Sequence, residues 1–148
     1  MLKLVLDTSV LISFLCSKSD NYTLEIMEMV ENSEVELFTS MEFWIEFKDV
    51  LSRPKIQKRF NDKTQYLETF LEWFKENSKI VSITKYNTYC RDPKDDFYLN
   101  LALGHNLDYI ISLDQDLLVL KQLGKTKILR PREFIEIYKL ASGSGFLI

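Results

Sequence analysis

Apolar and polar positions alternate along the chain in blocks of two periods. "LKLVLD" (Leu2 to Asp7) is a short apolar run ending at an acid, and "TSVLISFLC" after it opens with hydroxyl residues suited to capping a helix. "YTLEIMEMVENSE" carries Leu24, Ile26, Met27 and Val30 at helical spacing, and "VELFTS" (Val35 to Ser40) reads as a second strand. The next helix runs to Ser52 or Arg53, because Pro54 disfavours helical geometry in the residue before it. A further helix covers Asp62 to Asn77, with Tyr66, Leu67, Phe70, Leu71, Trp73 and Phe74 on or near one face. "KIVSIT" is then a third strand, "DDFYLNLALG" a helix closed by Gly104, and "LDYIISLD" a fourth strand. "DLLVLKQLG" reads as a helix ending at Gly124, followed by a short strand "TKILRP" and a last helix "REFIEIYKLA". Strands separated by helices imply crossover connections, hence an α/β domain with a mostly parallel central sheet flanked by helices.

In such sheets ligands bind beyond the carboxyl ends of the strands. Asp7 ends the first strand and Asp114 the fourth, Glu46 lies about a turn into the helix after the second, and Asp96 begins the helix before the fourth. A parallel sheet can bring all four to one edge. Each has a plainer reading: Asp7, Asp95, Asp96 and Asp116 stand where a helix cap is wanted, Asp92 and Asp108 suit turns, and Glu46 borders an apolar stripe.

Charge sharpens this picture. Between Asp92 and Asp116 six acids face one base, Lys94; removing them from the 22 acids and 19 bases leaves 16 and 18 elsewhere. An acidic pocket in a near-neutral body suits cation-mediated contact with phosphate. Four carboxylates without a histidine partner favour Mg²⁺ or Mn²⁺ over zinc, and the single histidine, His105, rules out His-pair catalysis. A pair of such ions about 3.5–4 Å apart can activate water and stabilise both oxygens of a phosphodiester exchange.

Composition adds limits. The 148 residues suffice for one domain without disulfides, and 46% hydrophobic with 28% charged residues is ordinary for a globular protein. Cys16 and Cys90 have no zinc-site spacing, Asp7 interrupts the amino-terminal apolar run, and no segment has the length of a membrane span. The expectation is a cytoplasmic protein without membrane association, with one domain over residues 1–140 and a flexible tail over 141–148.

Four blocks in order, "LVLDTSVLIS", "FTSMEFWIEFKDVLSRPKI", "DPKDDFYLNLALGHNLDYIISLDQDLL" and "ILRPREFIE", resemble the PIN-domain ribonucleases, and within them the toxin-like branch of prokaryotic toxin–antitoxin systems. The resemblance implies a three-layer α/β/α fold and a Mg²⁺ or Mn²⁺-dependent endoribonuclease that leaves 5′-phosphate and 3′-hydroxyl ends. It also implies a catalytic set of Asp7, Glu46, Asp96 and Asp114. Metal contact falls to Asp7, Asp96 and Asp114, with Asp116 as accessory acid and Asp95 as the alternative to Asp96. Ser9 stands where Asn is commoner, and Ser112-Leu113-Asp114 replaces Thr-Gly-Asp; Ser9 and Ser112 are candidates for fixing carboxylate rotamers.

RNA is the expected substrate, entering along Lys48, Arg53, Lys55, Lys58 and Arg59, a run that equally suits a solvated helix end. A cognate antitoxin is the expected partner. The aromatic helix at Tyr66 to Phe74 is either core or the face for an antitoxin or a homodimer. The rival readings are a PIN-like module that binds RNA or protein with little catalysis, and an Asp-nucleophile phosphatase. The phosphatase is disfavoured because Ser9, not an acid, stands two residues after Asp7.

Overall fold

The computed structural model describes residues 1–17, 21–89 and 93–141; Cys90, Asp92 and the tail after residue 141 lie outside them. Six strands, β1 (Leu2–Leu6), β2 (Val35–Thr39), β3 (Ser78–Ile80), β4 (Tyr109–Ile111), β5 (Gln122–Leu123) and β6 (Thr126–Leu129), form one sheet in the order β3-β2-β1-β4-β6-β5. All pairings are parallel except β5 with β6. Leu4, Val5 and Leu6 are successive residues pointing to opposite faces, yet none is more than 1% exposed, and Ile110 and Ile111 are fully buried. Both sheet faces are therefore covered by helices, which explains why these strands read as unbroken apolar runs.

The helices follow the chemistry of their starts. In α1 (Thr8–Cys16) the Asp7 side chain accepts from the Ser9 N–H, and in α3 (Met41–Ser52) the Ser40 hydroxyl accepts from Phe43 N–H. Phe43, Phe47 and Leu51 bury one stripe of α3 at four-residue spacing. The chain then turns at Arg53, and Pro54 opens α4 (Pro54–Arg59) at a position where its missing N–H costs nothing.

Helix α5 (Thr64–Glu76) is tied down mainly by Phe74, whose ring lies 5.7 Å from those of both Phe43 and Trp44. Tyr66 on the same helix is exposed, while Phe70 and Trp73 line an apolar groove of about 280 Å³ with Phe14, Leu24 and Met27. The aromatic stripe is thus core at one end and surface at the other. Helices α2 (Asn21–Glu31) and α8 (Pro131–Ala141) pack together, with Lys139 Nζ 3.4 Å from Glu25.

Two expectations are corrected. "KIVSIT" supplies only the short β3, after which residues 81–89 run irregularly and are clipped to α6 (Pro93–Gly104): Asn100 accepts from Asn87 N–H and donates to its carbonyl. The helix expected to reach Gly124 ends after one turn, α7 (Gln115–Leu118), and gives way to the β5–β6 hairpin. Leu117, Leu120 and Leu123 mimic a helical stripe, but Lys121 and Gly124 adopt left-handed backbone (φ 62° and 60°) that no α-helix continues through. Among the described residues, no helix is long and apolar enough to cross a membrane.

A Cβ at Gly124 would sit 3.3 Å from Leu103 Cδ2, on a backbone that L side chains rarely adopt. Gly124→Ala is expected to lower unfolding free energy by about 1–2 kcal/mol in urea titration.

Candidate functional site

Strand order reverses between β1 and β4: from this central pair the sheet grows toward β2 on one side and β6 on the other. That reversal opens a crevice at the carboxyl ends of the strands. Parallel register sets Leu6 beside Ile111, and Asp7 N–H donates to the Ile111 carbonyl at 2.9 Å. The residues that follow the two strands, Asp7 and Ser112, consequently meet side by side.

Asp7 is only 4% exposed. One carboxylate oxygen accepts from Ser9 N–H at 2.6 Å and the other from the Ser112 hydroxyl. Ser112 Oγ also accepts from Asp114 N–H at 2.9 Å, while Ser9 Oγ accepts from Leu113 N–H at 3.1 Å. The two serines therefore stitch the β1 and β4 ends together across the site. Leu113, which replaces the glycine of Thr-Gly-Asp, is not among the residues with left-handed backbone. Burial pushes the Asp7 carboxyl above its ordinary range, with Asp114 adding to the rise and the Ser112 and Ser9 hydrogen bonds opposing it.

Tyr98, on α6 and 1% exposed, completes the inner layer and was not a candidate in the sequence. Its oxygen accepts from Thr8 N–H at 3.1 Å, and its hydroxyl donates to Glu46 Oε2 at 3.4 Å; Thr8 Oγ1 reaches Glu46 Oε1 at 3.3 Å. Glu46, half-buried on α3, is thereby brought to the same edge as Asp7. Burial, then the nearby Asp7 and Glu46 charges, hold the Tyr98 phenol well above its usual range, so it remains protonated. Nothing in a one-dimensional pattern distinguishes this tyrosine from a core aromatic; only its hydroxyl hinted at a polar partner.

The outer layer is a group of acids. Carboxylate oxygens of Asp95, Asp114 and Asp116 lie within 4.8 Å of one another. Asp114 follows β4, caps α7 by accepting from Asp116 N–H at 2.9 Å, and so performs the capping that Asp116 was a candidate for. Asp96 points its Oδ1 to Tyr89 N–H at 2.9 Å, and its carbonyl accepts from Asn100 Nδ2 at 2.8 Å. It thus helps clip residues 81–89 to α6, while Asp95, three residues before Tyr98 and on its helical face, takes the place beside Asp114. The helical spacing was visible in the sequence, but the face that turns inward was not.

Other acids serve elsewhere. Asp108 accepts from Lys3 N–H at 2.8 Å and lies 3.5 Å from Lys125 at the opposite, amino-terminal edge of the strands. Glu42 accepts from the Tyr86 hydroxyl at 2.6 Å, which pushes that exposed phenol up to about 12. Arg53 of the expected basic run is paired with Asp49 at 3.1 Å, and Lys48, Lys55, Lys58 and Arg59 are exposed.

An all-oxygen set of three carboxylates fits a hard divalent cation and gives no reason for zinc. A cation beside them would also offset the charge that burial makes costly at Asp7.

Two outcomes follow from the inner layer. Because the folded protein holds a proton on Asp7 more tightly than the unfolded chain does, the Asp7 contribution makes the metal-free protein less stable as pH rises above the ordinary value of 3.8. Asp7→Asn should flatten that slope and raise the melting temperature near neutral pH in EDTA, measured by differential scanning calorimetry. Tyr98→Phe leaves the buried Thr8 N–H without its acceptor and should cost about 1–3 kcal/mol in chemical denaturation.

A comparison of the sequence with known proteins agrees with this geometry. No curated protein matches the chain. The PIN domain family matches residues 3–116, a span holding Asp7, Glu46, Asp95, Asp114 and Asp116. The chain belongs to the PIN-domain family.

Proposed function

We propose that the protein is a Mg²⁺ or Mn²⁺-dependent endoribonuclease and the toxin component of a type II toxin–antitoxin pair. PIN domains are in general metal-dependent nucleases, and the observation that carries the reading is the convergence of Asp95, Asp114 and Asp116 beside a buried Asp7 at the crevice. The toxin role is supported by the resemblance of four sequence blocks to that branch, and it calls for a cognate antitoxin. A short upstream reading frame encoding a DNA-binding pattern would strengthen it.

Asp95, Asp114 and Asp116 would hold the cation, with Asp7 as the inner acid that the two serines keep in one rotamer. When bound, the cation supplies Lewis-acid charge to the phosphate ester and activates water. Glu46, held by Thr8 and Tyr98, orients the attacking water. The protonated Tyr98 hydroxyl keeps one Glu46 oxygen fixed. Asp96 is assigned to positioning residues 81–89 and not to the cation.

The test is cleavage of RNA by the purified chain with Mn²⁺. Cleavage that disappears in Asp7→Asn and Asp114→Asn supports the reading; a wild-type protein that leaves RNA intact overturns it. Calorimetry separates the two adjacent aspartates. Asp95→Asn should weaken Mn²⁺ binding by at least about tenfold, whereas Asp96→Asn should leave Mn²⁺ affinity nearly unchanged.

A further inference from the structure

Two clefts border the acidic crevice, and their linings differ in sign. On the Glu46 side a cleft of about 400 Å³ is formed by Glu42, Ile45, Glu46, Asp49, Arg53 and Phe97. Among the described residues there, three acids face one cation, and that cation is already paired with Asp49. On the Asp116 side lies a larger cleft of about 770 Å³, whose polar lining is Tyr89, Gln115, Asp116, Lys121 and Arg130. Among the described residues lining it, two cations face one acid, and that acid belongs to the candidate cation site. A phosphate chain leaving the crevice meets repulsion on the first side and attraction on the second.

From this asymmetry we propose that the cleft beside Asp116 binds a non-scissile phosphate of the RNA strand, through Lys121 and Arg130. The inference rests on the ribonuclease reading and names the direction in which its substrate lies. Lys121 makes no ion pair among the described residues, and its side chain is exposed. Its backbone is left-handed at the turn between α7 and β5, which fixes where the side chain departs. Arg130 follows β6, so the parallel β4–β6 pairing places it at the same strand end as Ser112. Its guanidinium is 3.5 Å from a half-exposed Glu133, a loose surface contact that a phosphate can displace. Tyr89 offers a ring on the same wall, suited to stacking a base next to the held phosphate.

The test measures binding apart from cutting. A fluorescein-labelled oligouridylate is titrated with the full chain in EDTA, by anisotropy, across a series of salt concentrations. Lys121→Asn suits the left-handed backbone, and paired with Arg130→Gln it removes both charges while keeping polar side chains. A charge-matched control, Lys63→Gln with Lys75→Gln, lies at the N-cap and in the last turn of α5, which packs by the opposite edge strand β3. The expected result is weaker binding by the first pair, with the slope of log K against log salt reduced by about 0.7 per lost contact. The control should keep both affinity and slope. The proposal is overturned if the first pair matches the wild type, if the control loses as much, or if the wild type fails to bind the oligouridylate. Mn²⁺-dependent cleavage is scored separately, so loss of cutting with this binding pattern intact rejects the ribonuclease reading alone.

Discussion

The parallel pairing of β1 with β4 is the constraint on which the rest of the site depends. One hydrogen bond beyond the strand register, from Asp7 N–H to the Ile111 carbonyl, puts a carboxylate against the Ser112 hydroxyl. From there the order of the neighbouring atoms is largely determined, because Ser112 receives the Asp114 N–H and Ser9 receives that of Leu113. A one-residue slip would turn Asp7 to the other face of the sheet and separate all of these partners. Because β1 and β4 are apolar on both faces, burial alone does not choose this register; the Ser112–Asp7 and Leu113–Ser9 hydrogen bonds across the strand ends hold it.

The fold was legible because burial on both faces leaves a simple signature. Strands that are apolar at every position, divided by helices with hydroxyl or acidic starts, leave few alternatives to a parallel sheet. The segment after Asp116 was misread for a physical reason: leucines three apart fit a helix until two left-handed residues, Lys121 and Gly124, redirect the chain. A lysine carries no left-handed signal of its own, so the hairpin could not be seen in composition. The irregular 81–89 segment likewise depends on side-chain clips from Asp96 and Asn100.

That Asp7, Glu46 and Asp114 lie at one end of the sheet follows from their places relative to strands and helices. Telling Asp95 from Asp96 required knowing how α6 is rotated, and that rotation is set by burial of Tyr98, Leu99 and Ala102 against the core. The same rotation delivers the Tyr98 hydroxyl to Thr8 and Glu46. Adjacent residues on a helix point about 100° apart, so a difference of one position decides which aspartate lies beside Asp114 and which accepts from Tyr89 N–H. The sign difference between the two flanking clefts was equally out of reach, since its charges come from residues 42 to 130.

The start of α1 has a consequence for what substitutions this chain can bear. A helix beginning after β1 needs a short polar side chain to accept the Ser9 N–H, and Asn, Ser or Thr meets that need about as well as Asp. None of the three would carry a charge into a place 4% exposed. The carboxylate is therefore the costlier choice for the helix alone, and a version of this protein relieved of its chemistry would gain stability by abandoning it. Under the proposed function, Asp7 is a point where folding and chemistry pull in different directions, and the identity of the residue there records which of them prevails.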